Sequence, residues 1–351
     1  LNQESKHFLM ELLSTPSPSG AEMEIQRKWI NYVKEFADEI RTDNAGNAIG
    51  ILNPEAEFKI LLAGHCDEIG FMINKIDDRG FLRVAKLGGI SHKPAIGMKV
   101  DILGSGGRIT GVIGANAEHH GGVDKDFEFE DLYIDCGANN KEEMEKYVQV
   151  GDLGVYKREP EILLNDTISG RGLDNRTGSF LVAEVLKEVA KKNPKIGVYA
   201  VSTVNEETNM GGAYFAGAGI NPTMAIACDV TFATDYPGVN TDKYGEVSLG
   251  KGPVLAKGAP INVKINKMLE QTAEKLDMEL QYELTPRMTG TDADKLRLTG
   301  KGVPIGLVSL PLRYMHSPVE AASFKDMDEE VQLLSDMIAN MTGDESLNPL
   351  D

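Results

Sequence analysis

Cysteine is nearly missing from this sequence, and what little there is cannot form a framework. The three cysteines, Cys66, Cys136 and Cys228, are odd in number and far apart. That excludes a disulfide scaffold and a paired-thiol zinc ribbon, and reduced thiols of this kind fit a cytoplasmic protein. Long apolar runs are lacking too: no stretch approaches the roughly 20 residues that cross a bilayer as a helix. The opening residues Leu1-Asn2-Gln3-Glu4-Ser5-Lys6 have no basic start leading into an apolar run, so no signal peptide is expected. There is no basic excess. Acidic residues number 54 against 36 basic ones, for a net charge of −18. Such a surface repels nucleic acid and anionic membranes, and its plainest consequence is solubility. Internal repeats and low-complexity segments are absent as well.

What is present suits a soluble globular protein. Hydrophobic residues make up 41% and charged residues 26% of 351, enough chain for two domains. Phe8, Leu9, Leu12 and Leu13 recur at helical spacing. After the Pro-rich turn 15–20, Ser19 is expected to cap a second helix, with Glu22 completing a capping box. Ile25, Trp29, Val33 and Phe36 would share one face of it. Residues 48–52 and 59–64 read as strands, the second apolar throughout, as in a strand covered on both faces. From residue 71 to 155 glycines are dense and apolar runs short (81–84, 99–103, 109–113), the texture of a smaller β-rich unit. Gly104-Ser105-Gly106-Gly107 reads as a hairpin turn, because it lacks the lysine and following helix of a phosphate loop. After Asp174 helices and strands alternate, with 198–204, 224–228 and 304–309 as buried strands. The expected organisation is an α/β domain of residues 1–69 and 160–351, interrupted by an inserted β-rich domain of residues 70–159.

Several polar groups sit at or just beyond the ends of these apolar strands, where open α/β sheets place ligand sites. In Gly64-His65-Cys66-Asp67, His65 and Asp67 are two apart and face one way, with Cys66 facing the other. Gly170-Arg171-Gly172-Leu173-Asp174-Asn175-Arg176 opens a helix, where an Asp is most simply a cap. Glu206 and Glu207 directly follow a strand; adjacent carboxylates repel unless solvated or bound to cations. Asp229 ends another strand, and His316 lies in the loop 313–318. Singly each is weak. Together, two His, two Asp and one Glu give an oxygen and nitrogen ligand set suited to zinc, cobalt or manganese. One carboxylate can bridge two ions about 3.5–4 Å apart, leaving the other Glu of the pair as general base. By contrast His119-His120, Glu128-Phe129-Glu130-Asp131 and Lys141-Glu142-Glu143 read as loop and solvated faces.

The ordered motifs resemble the tetrahedral aminopeptidase family, which includes glutamyl and deblocking aminopeptidases and proteins sometimes labelled endoglucanases. The resemblance rests on His65-Cys66-Asp67-Glu68-Ile69-Gly70-Phe71, Leu173-Asp174-Asn175-Arg176, Asn205-Glu206-Glu207, Gly290-Thr291-Asp292-Ala293 and Arg313-Tyr314-Met315-His316-Ser317-Pro318. Cys66 and Thr208-Asn209 depart from the family's commoner residues. The resemblance implies a phosphorylase/hydrolase-like mixed α/β catalytic domain with an inserted smaller β domain. It implies Asp174 bridging two divalent ions, zinc or cobalt foremost and manganese as an alternative. His65 and Asp229 would complete one site, Glu207 and His316 the other. Glu206 would be the general base, Asp67 would support His65, and Thr291 and Asp292 would line the substrate pocket. Substrates would be short peptides, and the chain would assemble with itself, from dimers to a dodecamer. Two rivals remain: a dimetal hydrolase of acylated amino acids, and a peptide-binding scaffold without chemistry. A glycosidase is disfavoured, because adjacent carboxylates cannot straddle a sugar bond.

Overall fold

In the computed structural model, which describes residues 1–351, the apolar runs become strands joined through helices. The chain enters with β1 (Glu39–Thr42), β2 (Ala48–Leu52) and β3 (Lys59–His65). It continues through β4 (Gly70–Ile76), β5 (Leu82–Leu87), β6 (Lys99–Gly104), β7 (Gly107–Ile113), β8 (Tyr133–Asp135) and β9 (Leu153–Tyr156). Then come β10 (Glu161–Ile162), β11 (Thr167–Gly170), β12 (Gly197–Thr203), β13 (Met224–Phe232), β14 (Val254–Gly258), β15 (Gln281–Thr285), β16 (Ile305–Leu312) and β17 (Glu320–Ser323).

An 8-stranded mixed sheet forms in the order β1-β2-β12-β3-β13-β16-β14-β15. Its centre is parallel: β12 with β3, β3 with β13, and β13 with β16. The central strands β12 and β16 are buried at every residue, so their near-continuous apolar composition follows from being covered on both faces. Alternation assigns the faces. Ile60, Leu62, Val198, Ala200 and Ile226 join one core with the long helices Gln3–Ser14, Met23–Val33, Leu173–Ala190, Val263–Lys275 and Phe324–Asn340. Leu61, Ala63, Tyr199, Val201, Ala225 and Ala227 meet the helix Gly211–Ile220 and the short turn Ala293–Leu296 on the other.

The strands from Gly70 to Tyr156 close into a barrel, β4-β5-β8-β7-β6-β9, with its own core around Phe71, Ile102 and Ile134. Closure is a long-range property that short apolar runs cannot announce, although the β6–β7 hairpin turns at the expected glycines, Gly104 opposite Gly107. His119 and His120 lie in an exposed single turn of 3-10 helix. No helix is long and apolar enough to cross a membrane.

Two local expectations are corrected. The second helix begins at Met23, follows Glu22 without any side-chain cap, and ends at Val33, so Phe36 falls beyond it. Ser19 and Glu22 are diverted to partners far along the chain, described below. Nor does Asp174 cap its helix: Gly172 holds that position, and Asp174 and Asn175 have non-helical backbone angles inside the first turn.

Candidate metal centre and substrate cleft

The parallel strands deliver their carboxyl ends to one place. Thr203 of β12 stands opposite His65 of β3, and Ser309 of β16 opposite Asp229 of β13. A cleft of about 650 Å³ opens there, lined by His65, Asp174, Glu206, Glu207, Asp229 and His316. Thr291 also lines it, whereas Asp292 sits behind the wall, almost fully buried, accepting a hydrogen bond from the Thr203 hydroxyl.

Asp174 occupies the middle. Its Oδ1 is 3.3 Å from His65 Nε2 and its Oδ2 is 3.2 Å from His316 Nε2. Glu206 reaches within 3.7 Å of His65 Nε2, and Glu207 within 3.6 Å of His316 Nε2. Two groups of side chains are close enough to share an ion, His65 with Glu206 and Asp229, and His65 with Asp174 and Glu207. Geometry alone thus leaves Glu206 as near to an ion as the proposed ligands.

Each imidazole is fixed from behind. His65 Nδ1 faces the Asp67 carbonyl at 3.1 Å and its carboxylate at 3.4 Å. His316 Nδ1 faces the Gly89 carbonyl at 3.2 Å. A proton on each Nδ1 leaves each Nε2 lone pair directed into the centre, the arrangement of metal-bound histidines. Gly89 lies just beyond β5 of the barrel, so that unit reaches the site. A Cβ at Gly89 would come within 2.6 Å of the His316 ring, and only glycine permits this approach.

The carboxylates are held by the backbone. Asp67 accepts the Ser19 hydroxyl at 2.6 Å and the N–H groups of Glu206 at 3.0 Å and Glu207 at 3.2 Å. Glu22 accepts the N–H of Asn205. Asn205 and His316 both adopt left-handed angles, φ 59° and 61°, which these contacts sustain against their steric cost. Glu320, the first residue of β17, accepts the N–H of Asp174 at 3.2 Å and of His316 at 2.7 Å. Below, Glu68 is buried against Arg171 and Arg176. The two guanidiniums compensate its burial and hold its carboxyl below the usual range.

The electrostatics call for cations. Asp174, Glu206 and Asp229 are buried together with no lysine or arginine paired to them. One oxygen of Glu207, Oε1, is buried with no hydrogen-bond partner. Burial pushes the Glu206 carboxyl up to about 9. Burial, reinforced by the Asp174 carboxylate, pushes Glu207 well up, and burial does the same to Asp229. Burial also opposes ionisation of Asp174, but its hydrogen bonds to His316 and His65 outweigh that and hold it low. Like charges at this density are stable only with protons or with bound cations, and a divalent ion reverses each upward shift. Neutral imidazole nitrogen and carboxylate oxygen are the donors such ions take.

Comparison with known proteins places the chain in a family. The M42 glutamyl aminopeptidase profile matches residues 46–333. The chain belongs to that family. It is a metallo-aminopeptidase, a hydrolase that uses divalent metal. It is 32% identical over 352 residues to the lysyl aminopeptidase of Pyrococcus furiosus, covering 98% of each chain. The solved aminopeptidase of Desulfurococcus kamchatkensis superposes with a TM-score of 0.90 at 32% identity, over 97% of this chain and 96% of that one. The TET1 peptidase of Pyrococcus horikoshii, which assembles into a tetrahedron or a large octahedral shell, gives 0.85 at 31% identity, over 96% and 100%.

In this aminopeptidase the sequence-predicted residues His65, Asp67, Asp174, Glu206, Glu207, Asp229 and His316 all come together, and Thr291 stands on the cleft wall. Sequence reasoning missed Ser19, Glu22, Glu320 and Gly89. Ser19 and Glu22 have the spacing of a helix cap, which hides these long-range partners. Glu320 and Gly89 carry no local signal.

Proposed function

We propose that the chain removes N-terminal residues from short peptides using two divalent ions, zinc or cobalt with manganese as an alternative. The observation that carries this is the placement of Asp174, one oxygen towards each imidazole. In this reading Asp174, His65 and Asp229 would hold one ion, and Asp174, Glu207 and His316 would hold the other. The ions when bound polarise the scissile carbonyl and make a water acidic. Glu206 takes the proton of that attacking water and delivers it to the leaving amine. Asp67 positions His65 and, through the two backbone N–H groups, both glutamates. Thr291 lines the substrate pocket, and Asp292 supports that wall through Thr203.

A panel of aminoacyl-anilides, assayed with zinc, cobalt and manganese after chelation, tests the reading. Free-amine substrates should be cleaved and N-acylated ones refused. Cleavage of the acylated set alone would favour a hydrolase of acylated amino acids, and no cleavage of either with metal restored would favour a scaffold.

The reading extends to organisation. Residues 70–159 form the inserted domain, 1–69 and 160–351 the catalytic one, and the chain works in the cytoplasm, where its free cysteines stay reduced. It assembles with itself, from dimers to a dodecamer, as supported by the assembly of the Pyrococcus horikoshii peptidase. Sedimentation velocity should show species larger than a 38.2 kDa monomer; a lone monomer at micromolar concentration would refute assembly.

A further inference from the structure

The cleft extends beyond the ligand cluster along one face of the sheet. Asp229 and Thr231 are two apart on β13, so their side chains share that face. Ser309 of β16 stands beside Asp229. The next strands carry the surface outward, with Val254 of β14 opposite Ser309 and Ala256 opposite Glu283 of β15. Ala256 is small and buried, so the Glu283 side chain passes over it towards the centre of the sheet. There the Thr231 hydroxyl donates to Glu283 Oε2 at 2.6 Å and the Ser309 hydroxyl to Oε1 at 2.7 Å. Thr231 and Glu283 both line the cleft, together with Phe232, Met288 and Thr289.

We propose that Glu283 is the specificity-determining residue of the cleft and selects peptides whose N-terminal side chain is cationic, lysine or arginine. The inference rests on the aminopeptidase reading and deepens it. Each Glu283 oxygen is engaged by one hydroxyl, and a carboxylate has about four lone-pair sites, so acceptor capacity is left for a ligand. The hydroxyls fix the carboxylate without neutralising it. Glu283 makes no ion pair within the chain. Lys295, the one lysine or arginine on the cleft wall, is not ion-paired to it. Thr231 stands about 7 Å along its strand from Asp229. A peptide whose α-carbon sits by the ligand cluster would cover that interval with the four-carbon stem of a lysine, or with an arginine stem and its guanidinium. Phe232 and Met288 give such a stem apolar surface to lie on while its charged end reaches the carboxylate. A leucyl side chain ends short of Glu283 and leaves it desolvated and unpaired; a glutamyl one brings like charge towards it.

The test compares lysyl-, arginyl-, leucyl- and glutamyl-anilides on the wild type and on Glu283→Gln, both reconstituted with metal. Calorimetric binding of lysine amide and leucine amide is measured in parallel. Glutamine is nearly isosteric and still pairs with both hydroxyls, and metal content and thermal midpoint report whether the variant is intact. Wild type should prefer lysyl and arginyl substrates. In Glu283→Gln the lysyl-to-leucyl ratio of kcat/KM should fall roughly tenfold to a hundredfold, the worth of a hydrogen bond to a charged group. A wild-type preference for leucyl or glutamyl substrates overturns the proposal, and so does a ratio that Glu283→Gln leaves in place. Should the variant fail to fold, the wild-type order of substrates and amides still decides. Should no anilide be cleaved while wild type binds lysine amide selectively and Glu283→Gln does not, the aminopeptidase reading fails and this one stands.

Discussion

Glu206→Gln is expected to lower kcat about 10²–10⁴-fold, the usual contribution of general acid–base help, while the protein keeps its metal. The amide fills the same volume and leaves His65, Asp174, Glu207, Asp229 and His316 in place, but it cannot take a proton from water. Its backbone N–H still donates to Asp67, so the short helix that carries both glutamates keeps its anchor. Glu207→Gln should fail differently. It removes an oxygen that lies 3.6 Å from His316 Nε2, so turnover falls together with metal content and excess metal partly restores it. The contrast matters because each neighbour lies within 4 Å of an imidazole of the centre, Glu206 of His65 and Glu207 of His316, and distance alone does not separate base from ligand. Elemental analysis beside steady-state kinetics separates them. Metal lost from Glu206→Gln but retained by Glu207→Gln would exchange the two roles, and full turnover in both would end the mechanism.

The legible part of this protein is the part written locally. Residues 60–63 and 198–201 are apolar without a break, and they lie in central strands buried on both faces. His65 and Asp67 share a face because a strand alternates, and the strand ends converge because parallel sheets gather their carboxyl ends. The illegible part depends on partners far away in the chain. Ser19 and Glu22 have the spacing of a capping box, yet Ser19 donates to Asp67, 48 residues on, and Glu22 accepts from Asn205, 183 residues on. A buried carboxylate is a stronger partner for a hydroxyl than an exposed helix end. Glu320 looks like any acid in a loop until β17 pairs with β11 and sets it opposite Gly170. Gly89 is one glycine among 37, and only the barrel's contact with the His316 ring distinguishes it. Barrel closure and the reach of Glu283 across Ala256 are set by pairings between strands, which spacing within one strand does not encode.

Asp174→Ala should release both ions, whereas His65→Ala should release chiefly one. Asp174 has one oxygen 3.3 Å from the His65 imidazole and the other 3.2 Å from that of His316, so its loss removes a ligand from both positions. It also removes the negative charge that offsets the mutual repulsion of two divalent ions, which at short range in a buried site exceeds that between surface charges. His65 serves one position, and its loss leaves Glu207, His316 and Asp174 around the other. Stability gives a second readout, independent of turnover. Ions that bind only the folded state stabilise it by RT ln(1 + [L]/Kd), about 4.1 kcal/mol when free metal is a thousand times Kd. Chelation should therefore lower the wild-type thermal midpoint by several degrees. It should lower that of His65→Ala less, and that of Asp174→Ala hardly at all, because little metal remains to remove. Apo Asp174→Ala also loses the carboxylate that pairs with both imidazoles and is held low by them, so it should be less stable than apo wild type at neutral pH. Two equivalents of metal retained by Asp174→Ala, with an undiminished response to chelator, would show that the ions are held without a bridge from this residue.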